Sequence, residues 1–269
     1  LEKSRNLMTV RIAQSLGINK VADFSNKMNI YDNPDELLSI SLGSTETTLL
    51  KLTSAYCSFV NGGKLIYPII IDRIQDGEGN TIINSSNRKC SNCEKISYTG
   101  KDFPKVEDNY KQVLTPQTAY QLTSILQGVV ERGTGKKLKK LGLNIGGKTG
   151  TTNDNTDAWF IGFTSNLVIG VYVGMDNPKP LGKFETGSKA ALPIFEEFVK
   201  KGVKKSNARP FKVANGITLM IVDSITGDKA KFNSKNTIIE SYKSENVSDG
   251  KILYLNNNRL DANNILRFY

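Results

Sequence analysis

Three apolar stretches in quick succession, Ile145 to Thr152, Ala158 to Thr164 and Leu167 to Val173, constrain the fold more than any other part of this chain. Each has the length of a strand. The links between them, which turn at Asn153-Asp154-Asn155 and Ser165-Asn166, are far too short for the crossover that parallel strands require. The segment therefore predicts an antiparallel meander, and helical patterns flank it. Thr115-Pro116, a hydroxyl cap followed by proline in the first turn, opens a helix to about Arg132 that turns Ala119, Leu122, Ile125, Leu126, Val129 and Val130 inward before Gly133-Thr134-Gly135 breaks it. A second is expected from about Ser188 to Lys200, with Pro193 near its first turns, where proline is tolerated. Toward the N-terminus, Leu7, Met8, Val10, Ile12, Ala13 and Leu16 recur at helical spacing up to Gly17. A short helix is expected over Lys20 to Met28. Another spans Thr47 to Val60, with Leu49, Leu50, Leu52, Ala55, Tyr56 and Phe59 inward and Asn61-Gly62-Gly63 as its stop.

Lys64 to Ile83 reads as strands around the turn Asp76 to Asn80. Beyond Ala208 the texture changes to short alternating segments, Ile217 to Val222, Thr237 to Ile239 and Ile252 to Leu255. The expected organisation is one α/β domain of the α+β kind, an antiparallel sheet flanked by helices, over residues 1–207. It carries a polar insert at about 84–110 and is followed by a small β-rich extension over 208–269.

The chain holds no histidine. This removes Ser-His-Asp and Cys-His catalysis and nearly every catalytic zinc site built on imidazole. Proton transfer falls to lysine, carboxylate, tyrosine or serine, and neither a metal nor a cofactor is expected. Lys and Arg outnumber Asp and Glu by 36 to 26, and such a basic surface suits nucleic acid, an anionic membrane or a wall polymer. The lysines are dispersed, with short clusters at Lys136-Lys137, Lys139-Lys140, Lys200-Lys201 and Lys204-Lys205. No interleaved aromatics offer base stacking, so nucleic acid is not an expected partner. The longest apolar strings, such as Leu167-Val168-Ile169, are far short of a spanning helix. Because Leu1 falls within what reads as a helix already under way, the chain is expected to be the C-terminal part of a longer protein. Cys57 lies on an apolar helical stretch and reads as a small core residue. Cys90 and Cys93 form C-x-x-C in a polar stretch with too few partners for zinc; a loop-tip disulfide is preferred to two free thiols.

The strongest local signal is Gly146-Gly147-Lys148-Thr149-Gly150-Thr151-Thr152. Strand alternation puts Lys148 and Gly150 on one face, Thr149 and Thr151 on the other. Glycine at 150 clears room for a ligand backbone alongside the strand. An ammonium, hydroxyls and free backbone donors suit an extended peptide that ends in a carboxylate. K-T-G alone is a short pattern, and on the triplet alone a glycine-kinked strand with a surface lysine is the better reading.

The surroundings reverse that choice. Leu114-Thr115-Pro116-Gln117-Thr118-Ala119-Tyr120, Leu126-Gln127-Gly128-Val129-Val130-Glu131-Arg132-Gly133-Thr134-Gly135, Gly147 to Asp157 and Ala158-Trp159-Phe160-Ile161-Gly162-Phe163-Thr164 resemble the bifunctional, class A penicillin-binding proteins almost throughout. The match continues through Val171-Tyr172-Val173-Gly174, Glu185-Thr186-Gly187 and Ala191 to Phe198. Ser4-Arg5-Asn6 looks like the family's S-x-N segment, 144 residues before Lys148. The resemblance covers about residues 1–200, densest over 114–198.

That resemblance implies the penicillin-binding transpeptidase fold and a D,D-transpeptidase that cross-links peptidoglycan stem peptides ending in D-Ala-D-Ala and is acylated by β-lactams. The family's nucleophile belongs to an S-x-x-K motif preceding S-x-N. The only such strings here, from Ser86 to Lys89 and Ser248 to Lys251, follow S-x-N in polar stretches, so the nucleophile is expected outside these residues and the chain alone to be inactive. By the same resemblance, Ser4, Lys148 and Thr151 are catalytic, Ser4 relaying protons and the Thr151 N–H forming half of an oxyanion hole. Asn6, Thr149, Gly150, Thr151 and Thr152 bind substrate. For Ser4 and Asn6 a simple helix-start role remains open, and Asp157 and Trp159 read as a turn carboxylate and a buried indole. The parent protein is expected to carry a glycosyltransferase, to be anchored in the inner membrane facing the periplasm, and to meet other cell-wall synthesis proteins. A truncated remnant, or a related carboxypeptidase or β-lactamase, is the alternative.

Overall fold

The computed structural model describes residues 1–85, 90, 91, 93, 105, 106, 110–204 and 209–247. In chain order the elements are helix α1 (Asn6–Leu16), α2 (Ile18–Lys27), α3 (Leu49–Val60), strands β1 (Arg73–Gln75), β2 (Thr81–Asn84), β3 (Cys90–Ser91) and β4 (Lys105–Val106), helix α4 (Pro116–Glu131), strands β5 (Gly146–Thr151), β6 (Ala158–Phe163) and β7 (Val168–Val173), helix α5 (Leu192–Gly202) and strands β8 (Ile217–Asp223) and β9 (Thr237–Lys243). Both long central helices begin on threonine caps. Thr48 accepts from the Lys51 N–H at 3.1 Å and Thr115 from the Thr118 N–H at 3.2 Å, each satisfying an amide the helix itself leaves free.

The central sheet runs β5-β6-β7, antiparallel throughout, with Lys148 opposite Ile161 and Gly150 opposite Trp159. It is covered on both faces. On one, Phe160 meets Phe195 of α5 edge-on at 4.9 Å, in a core with Leu138, Ile145, Leu192 and Val199. On the other, Phe163 packs with Leu126 and Val129 of α4 and with Phe211. Two-sided cover explains why β6 reads as an almost continuous apolar run rather than an alternating one. The β8–β9 hairpin lies along α4, where Gln121 Nε2 donates to the Ser241 carbonyl at 2.9 Å and Gln117 Nε2 to that of Asn215 at 2.7 Å.

Several expectations are corrected. The periodic face of α1 is real, but only Ala13 is buried; Leu7, Met8, Ile12 and Leu16 each remain more than half exposed, as does Leu50 of α3. Helical spacing fixes which residues share a face, not whether a partner covers it. Between Lys64 and Ile83 only β1 and β2 form, paired across the Asp76 turn and exposed along both strands. The helix expected from Ser188 starts as a single π turn, Gly187–Ala191, before α5. Cys90 and Cys93 are disulfide-bonded, as expected. The S-x-x-K strings and the strand expected over Ile252 to Leu255 lie outside the described residues. Among the described residues no helix is long and apolar enough to cross a membrane.

Glu196 on α5 is buried, yet carries a carboxylate. Lys200 at 2.6 Å and Lys140 at 3.0 Å hold it, and the Lys200 hydrogen bond first, then Lys140, keep its carboxyl below the ordinary range. A carboxyl depressed in the folded state adds stability above its unfolded pKa and loses it as pH falls through the folded one. Glu196→Gln is therefore expected to lower the melting temperature at neutral pH, with the gap closing in acid. A gap that stays constant from neutral pH down to about pH 3 would contradict this.

Candidate active site

Lys148 stands midway along β5, an edge strand of the three-stranded sheet. Its Nζ donates to Ser4 Oγ at 2.8 Å and to the Thr149 carbonyl at 2.7 Å. Burial draws its pKa below the ordinary lysine value, and no neighbouring carboxylate contributes to the shift. The residue is thus an ammonium held by neutral oxygens in a partly desolvated place, as proton-transfer lysines tend to be.

Ser4 does not cap α1. Arg5 occupies the cap position, and no side chain caps the helix. Ser4 instead adopts φ 50°, a left-handed conformation that a residue with a Cβ keeps only where its surroundings hold it. Its N–H donates to the Leu1 carbonyl at 3.1 Å, closing a turn through Glu2 and Lys3. Asn6, the first residue of α1, is exposed.

The β5 threonines differ in what they can offer. Thr149 Oγ1 shares a hydrogen bond of 2.9 Å with Thr134 Oγ1, just past the end of α4. Thr151 is exposed, and its Oγ1 accepts the Gly187 N–H at 3.0 Å. Thr152 Oγ1 is taken up by its own turn, accepting from the Asp157 N–H at 2.8 Å and bonding Thr156 Oγ1 at 2.8 Å. A Cβ at Gly150 would press on the Trp159 side chain, 3.1 Å from its Cβ and 3.7 Å from its Cγ.

Trp159 is only partly buried, not fully as expected. It shares a face with Phe163 but lies at the other end of β6, and its ring packs on Tyr172 at 4.7 Å. Tyr172 donates to Asp157 Oδ1 at 2.7 Å; this bond, more than the partial burial or nearby charge, raises the tyrosine pKa. Asp157 is a turn carboxylate with a phenol partner.

The sequence reading missed four residues. Thr134 and Gly187 were only letters in matching strings. Glu2 was not considered, and Arg132 was placed at a helix end without a partner. In the structure Arg132 Nε donates to Glu2 Oε2 at 3.2 Å, its Nη2 meets Glu2 Oε1, and the Thr134 N–H donates to the Glu2 carbonyl at 3.2 Å. The 2–6 segment, the end of α4 and β5 thus converge on one place.

Such a constellation sets a hydroxyl and a lysine amine in direct hydrogen-bond contact beside a strand edge. Residues 1–200 match the family model for the penicillin-binding protein transpeptidase domain. The chain belongs to this family.

Penicillin-binding protein 1A of Rickettsia conorii is 44% identical over 250 residues, covering 92% of this chain and 31% of that protein. Penicillin-binding protein 1A of Pseudomonas aeruginosa is 29% identical over 278 residues, covering 92% and 34%. The chain therefore spans about a third of the length of these curated relatives. The crystal structure of penicillin-binding protein 1A from Haemophilus influenzae superposes with a TM-score of 0.75 at 27% identity, over 91% of this chain and 39% of that one. The fold is accordingly the penicillin-binding transpeptidase type, with helices packed on antiparallel sheets.

Proposed function

We propose that these residues form the S-x-N and K-T-G half of the acyl-transfer site of a peptidoglycan D,D-transpeptidase. The observation that carries the reading is the 2.8 Å contact between Lys148 Nζ and Ser4 Oγ across 144 residues of chain. In this reading the attacking serine belongs to an S-x-x-K segment outside the 269 residues. It attacks the carbonyl of the penultimate D-Ala; its proton passes through Ser4 to the leaving D-Ala amine, and an ester to the enzyme forms. An amine of a second stem peptide then attacks the ester and restores the serine. Lys148 keeps Ser4 oriented and the site positive. Thr149 and Thr151 receive the terminal carboxylate, Asn6 the substrate amide, and the Thr151 N–H the developing oxyanion. Gly150 lets the peptide backbone approach β5. Thr152 serves by shaping the following turn.

β-Lactams, whose strained amide presents the same carbonyl, acylate the same serine in this reading. The name shared by the relatives and the 1–200 match support a parent that works on cell-wall peptidoglycan; the proposal extends to a glycosyltransferase, an inner-membrane anchor and a periplasmic active site in that parent. The basic surface meets wall polymer rather than nucleic acid, and the C-terminal extension over 208–269 follows the transpeptidase domain and leans on it through the β8–β9 hairpin.

The test is labelling with a fluorescent penicillin followed by mass spectrometry. The full-length protein is expected to retain a stable penicilloyl adduct on the serine of an S-x-x-K motif outside these residues, and the 269-residue chain alone to retain none. An adduct on Ser86 or Ser248 would overturn the assignment of the nucleophile. Rapid release of hydrolysed penicillin would replace the transpeptidase reading by a hydrolase.

A further inference from the structure

Glu2 is held at two points. Arg132 grips its carboxylate with two nitrogens, and the Thr134 N–H takes its carbonyl at 3.2 Å. The helix is shaped for this contact. A Cβ at Gly128 would collide with the Glu2 carboxylate, and one at Gly133 with the Glu2 carbonyl. Glu2 sits inside the turn whose closing residue is Ser4, and Ser4 there takes the left-handed φ that it does not favour by itself. The same short stretch, 132–134, bonds β5 through the Thr134–Thr149 hydroxyl pair. The site's two halves, Ser4 and Lys148, therefore share one fastening.

A third element reaches it. Glu240 of β9 lies 3.9 Å from Arg132 Nη2, and β9 is tied to α4 by the Gln121 bond to Ser241. One guanidinium stands between a carboxylate of the Ser4 turn and a carboxylate of the C-terminal hairpin. The fork geometry of arginine suits this: Nε and Nη2 engage Glu2, and Nη2 also faces the hairpin.

We propose that Arg132 is the positioning residue of the Ser4 turn, and that through Glu240 it makes the C-terminal hairpin part of the support of the acylation site. Arg132 touches neither substrate nor nucleophile; it acts by fixing Ser4 against Lys148. The inference rests on the function proposed above.

The test measures penicillin acylation of the full-length protein, separating the first-order acylation rate from the affinity of the preceding non-covalent complex. Arg132→Ala is expected to slow acylation roughly 10- to 100-fold, the cost of a misplaced reacting group, with affinity unchanged and Arg132→Lys recovering part of the rate. Glu2 lies outside the hydrophobic core, so Glu2→Gln keeps the fold while weakening the same contact; it should slow acylation roughly tenfold. Glu240→Gln should lower the rate about two- to fivefold, in keeping with its longer contact. Wild-type acylation in both Arg132→Ala and Glu2→Gln overturns the proposal, as does a loss confined to affinity. Wild-type rates in Glu240→Gln overturn the hairpin's part. Ser4→Ala separates the two levels. Abolished acylation there, beside unaffected Arg132 variants, sinks the positioning role alone, and undiminished acylation in Ser4→Ala sinks the proposed function itself.

Discussion

Lys148→Ala in the full-length protein is expected to slow penicillin acylation by about 10²- to 10⁴-fold, the range for loss of a positioned proton-transfer group. The fold should hardly notice. Lys148 is half-buried, its shifted pKa owes nothing to a carboxylate, and its bonds go to Ser4 Oγ and the Thr149 carbonyl. An alanine removes those bonds without leaving a charge unpaired, so the melting temperature should change little while acylation collapses. The ammonium also fixes the sign of a pH dependence. Burial holds its pKa below the ordinary value, so the charge is lost at lower pH than on an exposed lysine. Acylation is expected to fall on an alkaline limb that begins earlier than an exposed lysine would give. Wild-type acylation in the alanine variant would remove Lys148 from the mechanism.

Why the β5 to β7 meander was legible and the Ser4 turn was not follows from the range of the forces involved. Links as short as 152–157 and 164–167 leave antiparallel pairing as the only arrangement, and the register from Gly146–Phe163 to Thr151–Ala158 needs nothing from elsewhere in the chain. The start of α4 is local in the same way, since Thr115 finds its acceptor role three residues on. Lys148, Ser4 and the threonines were found through family strings rather than through physics, because a contact across 144 residues leaves no trace in spacing.

The Glu2–Arg132 pair shows the limit more sharply. Ion pairing between residues 130 apart has no signature in either neighbourhood. A clue did exist in Gly128 and Gly133. Glycine in a helix interior costs about 1 kcal/mol relative to alanine, and Gly128 sits on the buried side of α4 where Glu2 approaches. Leu7, Met8, Ile12 and Leu16 make the converse point: an apolar face at the right period says a partner is wanted, and among the described residues none covers it. Thr152, grouped by its letter with Thr151, has its hydroxyl in the Asp157 turn. Adjacent strand residues face opposite ways, and a run of like residues does not share one role.

Gly187→Ala is the second change expected to have a large effect, and it links packing to chemistry. Gly187 is buried and its N–H donates to Thr151 Oγ1 at 3.0 Å. A Cβ there would overlap the carbonyl oxygens of Gly150 and Trp159 and stand 3.2 Å from the Gly150 nitrogen. Every one of those atoms is backbone, and Gly150 and Trp159 are paired across β5 and β6. No rotamer can relieve the contact; either the π turn lifts away or the strand edge moves. Overpacking of this kind costs about 1–3 kcal/mol, a fall of roughly 5–10 °C in melting temperature at the upper end for a chain of this size. Either displacement breaks the Thr151 bond, so acylation should fall at least about tenfold, as for other misplaced catalytic groups. Gly77→Ala is the control: a Cβ there meets nothing within 4 Å, and a surface exchange of this sort should stay within about 0.5 kcal/mol. If Gly187→Ala melts and acylates as Gly77→Ala does, the π turn is not pressed against the strand, and Thr151 does not depend on it.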